Sequence, residues 1–485
     1  MKIRMEHIVF IVILISAITA NELTKYLSNE ELYDYLRDVN DNYQNISHLY
    51  SIGTTTLGEE LWVLMLTLAP SHESTVPNVK IVGNIHGNEP VGRELILHLI
   101  RVLLYGYVIN DEEVIHLLRT TKIHFLPSAN PDGFSKAVEG ECNIGPGRKN
   151  ANNVDLNRDF LPIFSMDDKE FHRQREIETT AIVQWMSEIH FVLSVSIHSG
   201  SLVVVYPYDE ATPGDNTNGE SLTDDNDIFK HLAQTYASGT KGAIYESCPE
   251  SRTFENGVIN GASWYSARGT MMDYNYYYHG CMELTVEVSC CKYPHPVKLM
   301  DIIDNHIPAL VSVIREAHQG IKGVITCEGD RGISYIQVLG RNLTIQSTPE
   351  GEYWRILLPG RYFLQVESGS CTTEVLSVEI PRRKHDEYPS PIIMNINLRK
   401  PYEMINDDET ELETMDNNDE DELNVTVKDT SYQISESAES GAHFNNTRET
   451  FSPRAESSLS SAALQYHYYS AAIPILLCSI LIIRI

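Results

Sequence analysis

The chain has 485 residues, more than one hydrophobic core ordinarily serves, since single cores stop growing near about 250–300 residues. Apolar residues make up 42% and charged residues 21%, a globular balance that excludes wholesale disorder. The net charge of −30 argues against a nucleic-acid partner or a broad anionic-membrane surface, although eleven of the carboxylates crowd into residues 403–422, where no Lys or Arg offsets them.

Lys2 and Arg4 precede the apolar run 8–15, and small residues follow at Ser16, Ala17, Thr19 and Ala20. This pattern predicts a secretory signal peptide over 1–20; a buried N-terminal helix would leave the charged start unexplained. Residues 21–319 alternate strand-like and helical runs and read as α/β with a largely buried sheet. Strands are expected at 80–85, 123–126, 191–197 and 281–289, and helices at 91–105, 168–189 and 297–318. From residue 320 to 400 the pattern changes to short alternating segments, enough for a small β-sandwich, with a Pro-Gly turn between two strands in 355–366. Residues 401–461, acidic and rich in Ser and Asn, read as a disordered stalk.

Residues 462–485 complete an anchor pattern. Small residues from Ser457 to Ala463 precede a polar spacer and the apolar run 471–483, the order a GPI signal requires. That run is short of the ~20 residues a spanning helix needs. The expected location is the outer face of the plasma membrane through a lipid anchor; a secreted form and a single-pass span are the alternatives. Secretion makes the eight cysteines disulfide candidates. Cys478 falls in the segment to be removed, so at least one of the remaining seven should be free, and Cys327 and Cys371 could pair within the sandwich. Asn45, Asn342, Asn424 and Asn445 head glycosylation sequons.

His86 and Glu89 stand three residues apart between a strand and a helix, where imidazole and carboxylate can reach one cation. The spacing alone arises about once by chance in a chain with 18 histidines, and a polar loop capping the helix is the bland alternative. His198 ends another buried strand and points into the same rim, supplying a third ligand and leaving one zinc position open. The segment 147–160 holds Arg148, Arg158 and several amides, a loop suited to a carboxylate. Glu283 and Glu287 share one face of the strand 281–289, and spacing does not choose between them as a general base.

Six motifs in order carry a resemblance to a known family: GNIHGNEPVGRELILHL, LPSANPDGF, GRKNANNVDLNRDF, HSGSLVVVYPYD, NGASWYSARGTMMDYNY and ELTVEVSCCKYP. Across about residues 26–398 the chain resembles the zinc metallocarboxypeptidases of the regulatory N/E branch, and is most similar to the GPI-anchored M type. The resemblance implies a metallocarboxypeptidase domain with a mixed central sheet flanked by helices, followed by an all-β transthyretin-like sandwich. It implies one Zn2+ held by His86, Glu89 and His198, with Asp155 fixing a liganding histidine. Glu287 would be the general base, Arg148 would polarise the scissile carbonyl, and Asn157, Arg158 and Tyr265 would hold the substrate's C-terminal carboxylate. Asp209 would favour a C-terminal Arg or Lys.

Departures from the family pattern stand at Asp159, Ser199, Thr270 and Met272. Met272 replaces a Gln expected to line the specificity pocket, which makes a relaxed or apolar preference the alternative. The resemblance also pairs Cys248 with Cys281 and leaves Cys142 as the odd thiol. A non-catalytic peptide-binding relative is a further alternative, but no ligand or base is missing. A serine hydrolase lacks its G-x-S-x-G elbow here.

Overall fold

In a computed structural model, residues 25–401 are described, apart from 71–72, 74, 165–167, 215–218, 250–252 and 385–387. The expected signal, stalk and anchor segments, with Asn424 and Asn445, lie outside the described residues. Among those described, no helix is long and apolar enough to cross a membrane.

Eight strands form the first sheet: β1 (Ser47–Thr54), β2 (Glu60–Leu66), β3 (Asn78–Gly83), β4 (Lys122–Leu126), β5 (Phe191–His198), β6 (Ser201–Tyr206), β7 (Val258–Asn260) and β8 (Met282–Ser289). Their order is β1-β2-β4-β3-β5-β8-β6-β7. The central run β4-β3-β5-β8 is parallel, while β1–β2, β2–β4 and β6–β8 are antiparallel. Both faces of the centre are covered, which is why these strands are buried without a polar alternation. Leu193, Val195 and Ile197 pack with the helices Val91–Ile109, Asn226–Gly239 and Leu299–Arg315. Val82, Leu126 and Phe191 pack with Ile182, Trp185 and Met271 in a second cluster.

One buried polar rung crosses the centre of the sheet. Lys80, Ser194 and Glu283 lie in register on β3, β5 and β8, all fully buried. Lys80 Nζ donates to Ser194 Oγ at 3.0 Å and pairs with Glu283 Oε2 at 3.1 Å. Asn275 also donates to Glu283.

One sequence expectation of an element needs correction here. The helix expected over 168–189 is a single turn, Asp168–Phe171, and then the helix Ile177–Glu188. Asp159 draws the intervening chain out: it pairs with Arg173 and accepts the Glu176 N–H at 2.8 Å. Asn150 and Asn152 both donate to Glu176 Oε2 at 2.8 Å, so tertiary hydrogen bonds replace the helical ones. The Pro-Gly turn in 355–366 does lie between two strands, and these strands belong to different sheets. β13 (Glu352–Ile356) pairs with β9 (Gly320–Cys327), whereas β14 (Gly360–Ser368) lies between β11 (Ser334–Val338) and β15 (Glu374–Ile380).

These two sheets face one another through Ile325, Tyr353, Ile336 and Leu364. The first is completed by β10 (Asp330–Arg331), β16 (Ile392–Ile393) and β17 (Ile396–Leu398), all pairing with β9, and the second by β12 (Thr344–Gln346). Residues 25–401 belong to one compact unit. At the junction of the sandwich with the first sheet, Arg355 donates to both oxygens of Asp225, at 2.6 and 2.8 Å, and Arg341 reaches Asp225 and Asp227.

Among the described residues the disulfides are Cys142–Cys291, Cys248–Cys290 and Cys327–Cys371, and Cys281 is a free, buried thiol. The Cys248–Cys281 pairing and the free Cys142 are therefore both overturned. Cys281 enters β8 inside the second apolar cluster, where burial pushes its thiol up to about 12. Cys290 and Cys291 leave the strand at its other end, nine residues or roughly 30 Å of extended chain away. Asn45 and Asn342 are exposed, as glycan acceptors must be.

Candidate active site

The site lies at the carboxyl ends of β3, β5 and β8, where parallel strands leave a crevice. After β3, Asn84 turns the chain at φ 59° and donates its amide to the carbonyls of His86 (2.9 Å) and Gly87 (3.0 Å). Gly87 is required by close approach: a Cβ there would lie 2.2 Å from Phe134 N and 2.5 Å from Gly147 O. These contacts hold the loop that presents His86 and Glu89. His198 is the last residue of the neighbouring strand β5.

His86 Nδ1 is 3.1 Å from Glu89 Oε1, His198 Nδ1 is 2.9 Å from Glu89 Oε2, and the two Nδ1 atoms are 3.2 Å apart. All three residues are buried, with their ligand atoms within 4.8 Å of one another. The outer nitrogens have separate partners: His86 Nε2 meets Asp155 Oδ1 at 3.1 Å, and His198 Nε2 meets Ser196 Oγ at 3.1 Å. An Nε2–H on each ring, directed to Asp155 and Ser196, would leave each Nδ1 lone pair facing the common centre. Two imidazoles and a carboxylate converging in this way fit a zinc ion. Burial works to raise the Glu89 pKa, yet His86, Lys292 and His198 outweigh it and hold the carboxyl well below its usual range.

Glu287 stands directly across from His198 in the β5–β8 register. Its Oε2 is buried and has no hydrogen-bond partner among the described residues. Burial, with Glu89 nearby, raises its pKa. Glu283, on the same strand face, has its Oε2 bound by Lys80, Ser194 and Asn275 beneath the cleft, while its Oε1 is also buried without a partner among the described residues. Tertiary context thus separates two glutamates that strand periodicity leaves equivalent.

Three cations and an acid complete the cleft, which encloses about 170 Å3. Arg148 is fixed by Asp155, which takes Nε and Nη2 at 3.0 Å each, so Nη1 turns towards His86 and Glu89. Asn157 accepts the Met271 N–H at 2.9 Å, and its carbonyl oxygen takes Arg158 Nη1 at 2.6 Å. Tyr265 lines the mouth, about half-exposed, and burial of its hydroxyl end pushes the phenol up to about 12. Asp209 lies at the inner wall, its pKa pushed up to about 6 by burial against the opposing pull of Thr270, Arg158 and His198. Gly261 makes room for it, since a Cβ there would sit 2.0 Å from Asp209 Oδ1.

Met272 departs from expectation. It is 1% exposed and packs with Val203, Val205 and Ile259, so Val205, and not Met272, forms the cleft surface. A thioether gains more in that apolar cluster than at a polar wall. The sequence reading missed Lys292, whose ammonium reaches Glu89 Oε1 at 2.6 Å, and Trp264, which also lines the cleft. Lys292 stood in plain view after Cys290-Cys291, but only the fold turns it back towards β3.

Residues 32–308 match the family model described as zinc carboxypeptidase. Over 367 residues the chain is 39% identical to carboxypeptidase M of Mus musculus, covering 74% of this chain and 81% of that protein. It is 35% identical over 376 residues to the carboxypeptidase N catalytic chain of Mus musculus, covering 72% and 82%. It is 36% identical over 381 residues to carboxypeptidase D of Homo sapiens, covering 71% of this chain and 28% of that longer protein. The chain belongs to the zinc carboxypeptidase family, in its regulatory branch, and is a metallocarboxypeptidase.

Proposed function

We propose that the chain removes single C-terminal residues, Arg or Lys by preference, from extracellular peptides and proteins. The observation that carries this reading is the meeting of the His86–Glu89–His198 donors with an unpartnered Glu287 carboxylate, Arg148, Arg158 and Asp209 in one cleft. His86, Glu89 and His198 would hold one Zn2+, which when bound supplies Lewis-acid polarisation of water and of a carbonyl oxygen.

The chain's own residues do the rest. Glu287, its carboxyl raised by burial, takes a proton from the attacking water and delivers it to the departing amine nitrogen. Arg148 donates to the scissile carbonyl oxygen as negative charge builds there, already oriented by Asp155. Asn157, Arg158 and Tyr265 bind the terminal carboxylate, Arg158 through paired N–H groups. Asp209 selects the side chain, because a buried carboxylate is costly until a cation compensates it.

The reading is tested by a peptide panel differing only in the last residue, assayed with and without a zinc chelator. Terminal Arg and Lys should be released fastest and chelation should stop release; faster release of Phe or Leu would sink the specificity assignment. The leader and the small–polar–apolar tail support attachment to the outer cell surface by a GPI anchor. Treatment of cells with phosphatidylinositol-specific phospholipase C should then free the activity into the medium.

A further inference from the structure

Lys292 leaves β8 directly after Cys290 and Cys291, which are tied by disulfides to two different loops, at Cys248 and Cys142. The main chain here is fixed from both sides, and Ser199 Oγ adds a bond to the Lys292 carbonyl oxygen at 2.7 Å. From this base the side chain turns back into the cleft. Its ammonium donates to Glu89 Oε1 at 2.6 Å and to the Ser199 carbonyl oxygen at 2.8 Å. Gly200 leaves the space for it: at φ +127°, a Cβ there would lie 2.6 Å from Nζ. The lysine side chain is only 17% exposed, so water screens the contact little.

Glu89 is held at both oxygens. Oε2 meets His198 Nδ1 and, at 3.3 Å, the Ser199 N–H; Oε1 meets His86 and Lys292. Arg148 is 3.5 Å from Oε1, but its remaining nitrogens are committed to Asp155, so it is a poor substitute.

We infer that Lys292 is a positioning residue for metal binding: its charge-assisted bond to Glu89 Oε1 fixes the carboxylate in the orientation that keeps the Glu89, His86 and His198 donors convergent. The inference rests on the metal assignment proposed above. Two effects oppose each other. An ammonium near a dication repels it, which would weaken binding, whereas a carboxylate locked in place loses less freedom on binding. The first is blunted because Glu89 and Glu287 both lie close to the ammonium and offset its charge. Outer partners of metal ligands typically contribute 10–100-fold in affinity, so the second should prevail.

The test uses the full secreted chain and its Lys292→Met and Lys292→Arg variants, titrated with Zn2+ against a chromophoric chelator, with thermal melting in EDTA as the control for folding. Lys292→Met should raise the zinc dissociation constant about tenfold or more while the metal-free chain still unfolds in one cooperative transition. Lys292→Arg, which keeps a charged donor, should recover most of that loss. Zinc binding by Lys292→Met as tight as, or tighter than, that of the unaltered chain would overturn the inference. So would equal losses in both variants, because the charged bond would then not be the cause. Failure of the unaltered chain to bind zinc would show in the first titration and would remove the metal reading itself.

Discussion

Two glutamates four residues apart on β8 meet opposite fates, and substituting each should show it. On the proposed mechanism Glu287→Gln removes the base and leaves every proposed zinc donor in place, so turnover should fall by about 10²–10⁴-fold while one zinc per chain remains bound. Glu283→Gln should damage stability instead. It strands the Lys80 ammonium in a fully buried rung, and breaking such a pair costs about 3–5 kcal/mol. Kinetics at saturating zinc, beside denaturant unfolding, distinguish the two; a stable but inactive Glu283→Gln chain would reverse the assignment. Asp209 adds a pH signature. Its carboxyl is raised to about 6, so below that value it takes up a proton and stops attracting a cation. The ratio of kcat/KM for terminal Arg over a neutral residue should therefore decline as pH falls through about 6, and Asp209→Ala should flatten it. In the empty cleft the sign for stability is opposite: the neutral form is favoured, so stability is highest at low pH and declines as pH rises through about 6.

Within elements, the apolar strands and the loops that follow them were readable because their signals are local. β3 and β5 are short, mostly apolar runs, interrupted by Lys80 in one and Ser194 and Ser196 in the other, and His86, Glu89 and His198 sit just beyond or at their ends. What escaped the sequence depends on contacts between distant segments. The chain between Phe171 and Ile177 has helical composition, but Asp159, Asn150 and Asn152 compete for its hydrogen bonds. Cysteine pairing escaped for a related reason: which end of β8 faces the 142 and 248 loops is a property of the sheet and not of spacing. The pairing gives a direct test. Under native conditions a thiol reagent should leave Cys281 unmodified, and peptide mapping should recover Cys142–Cys291 and Cys248–Cys290. Replacing Cys142 and Cys291 together by Ser should cost about 2–5 kcal/mol and loosen the loop that carries Arg148. A mapped Cys248–Cys281 peptide would refute the arrangement.

At the scale of the whole molecule, the sandwich is joined to the first sheet by charge as well as by apolar packing. Asp225 is fully buried and holds Arg355 and Arg341 from the sandwich, while Tyr276 donates to it from the helix Met271–His279 at 2.9 Å. That helix also carries Asp273, which accepts the backbone N–H groups of Asp209 (2.8 Å) and Glu210 (2.9 Å). This one helix therefore bonds at Tyr276 to the acid that holds the sandwich arginines and at Asp273 to the backbone beside Asp209. Burial works to raise the Asp225 pKa, but the two arginines outweigh it and hold the carboxyl below its usual range. A depressed folded pKa contributes stability above the unfolded value, about 3.9, and that contribution is lost as pH falls through the folded value. Arg355→Met should accordingly cost about 3–5 kcal/mol at pH 7, because it leaves a buried carboxylate with one arginine in place of two. The same substitution should cost progressively less as pH falls and Asp225 becomes protonated. Urea unfolding of the two chains at pH 7 and at a series of lower pH values measures this difference. A penalty that stayed constant across that range would mean that Arg355 acts through packing alone, and the electrostatic account of the junction would fail.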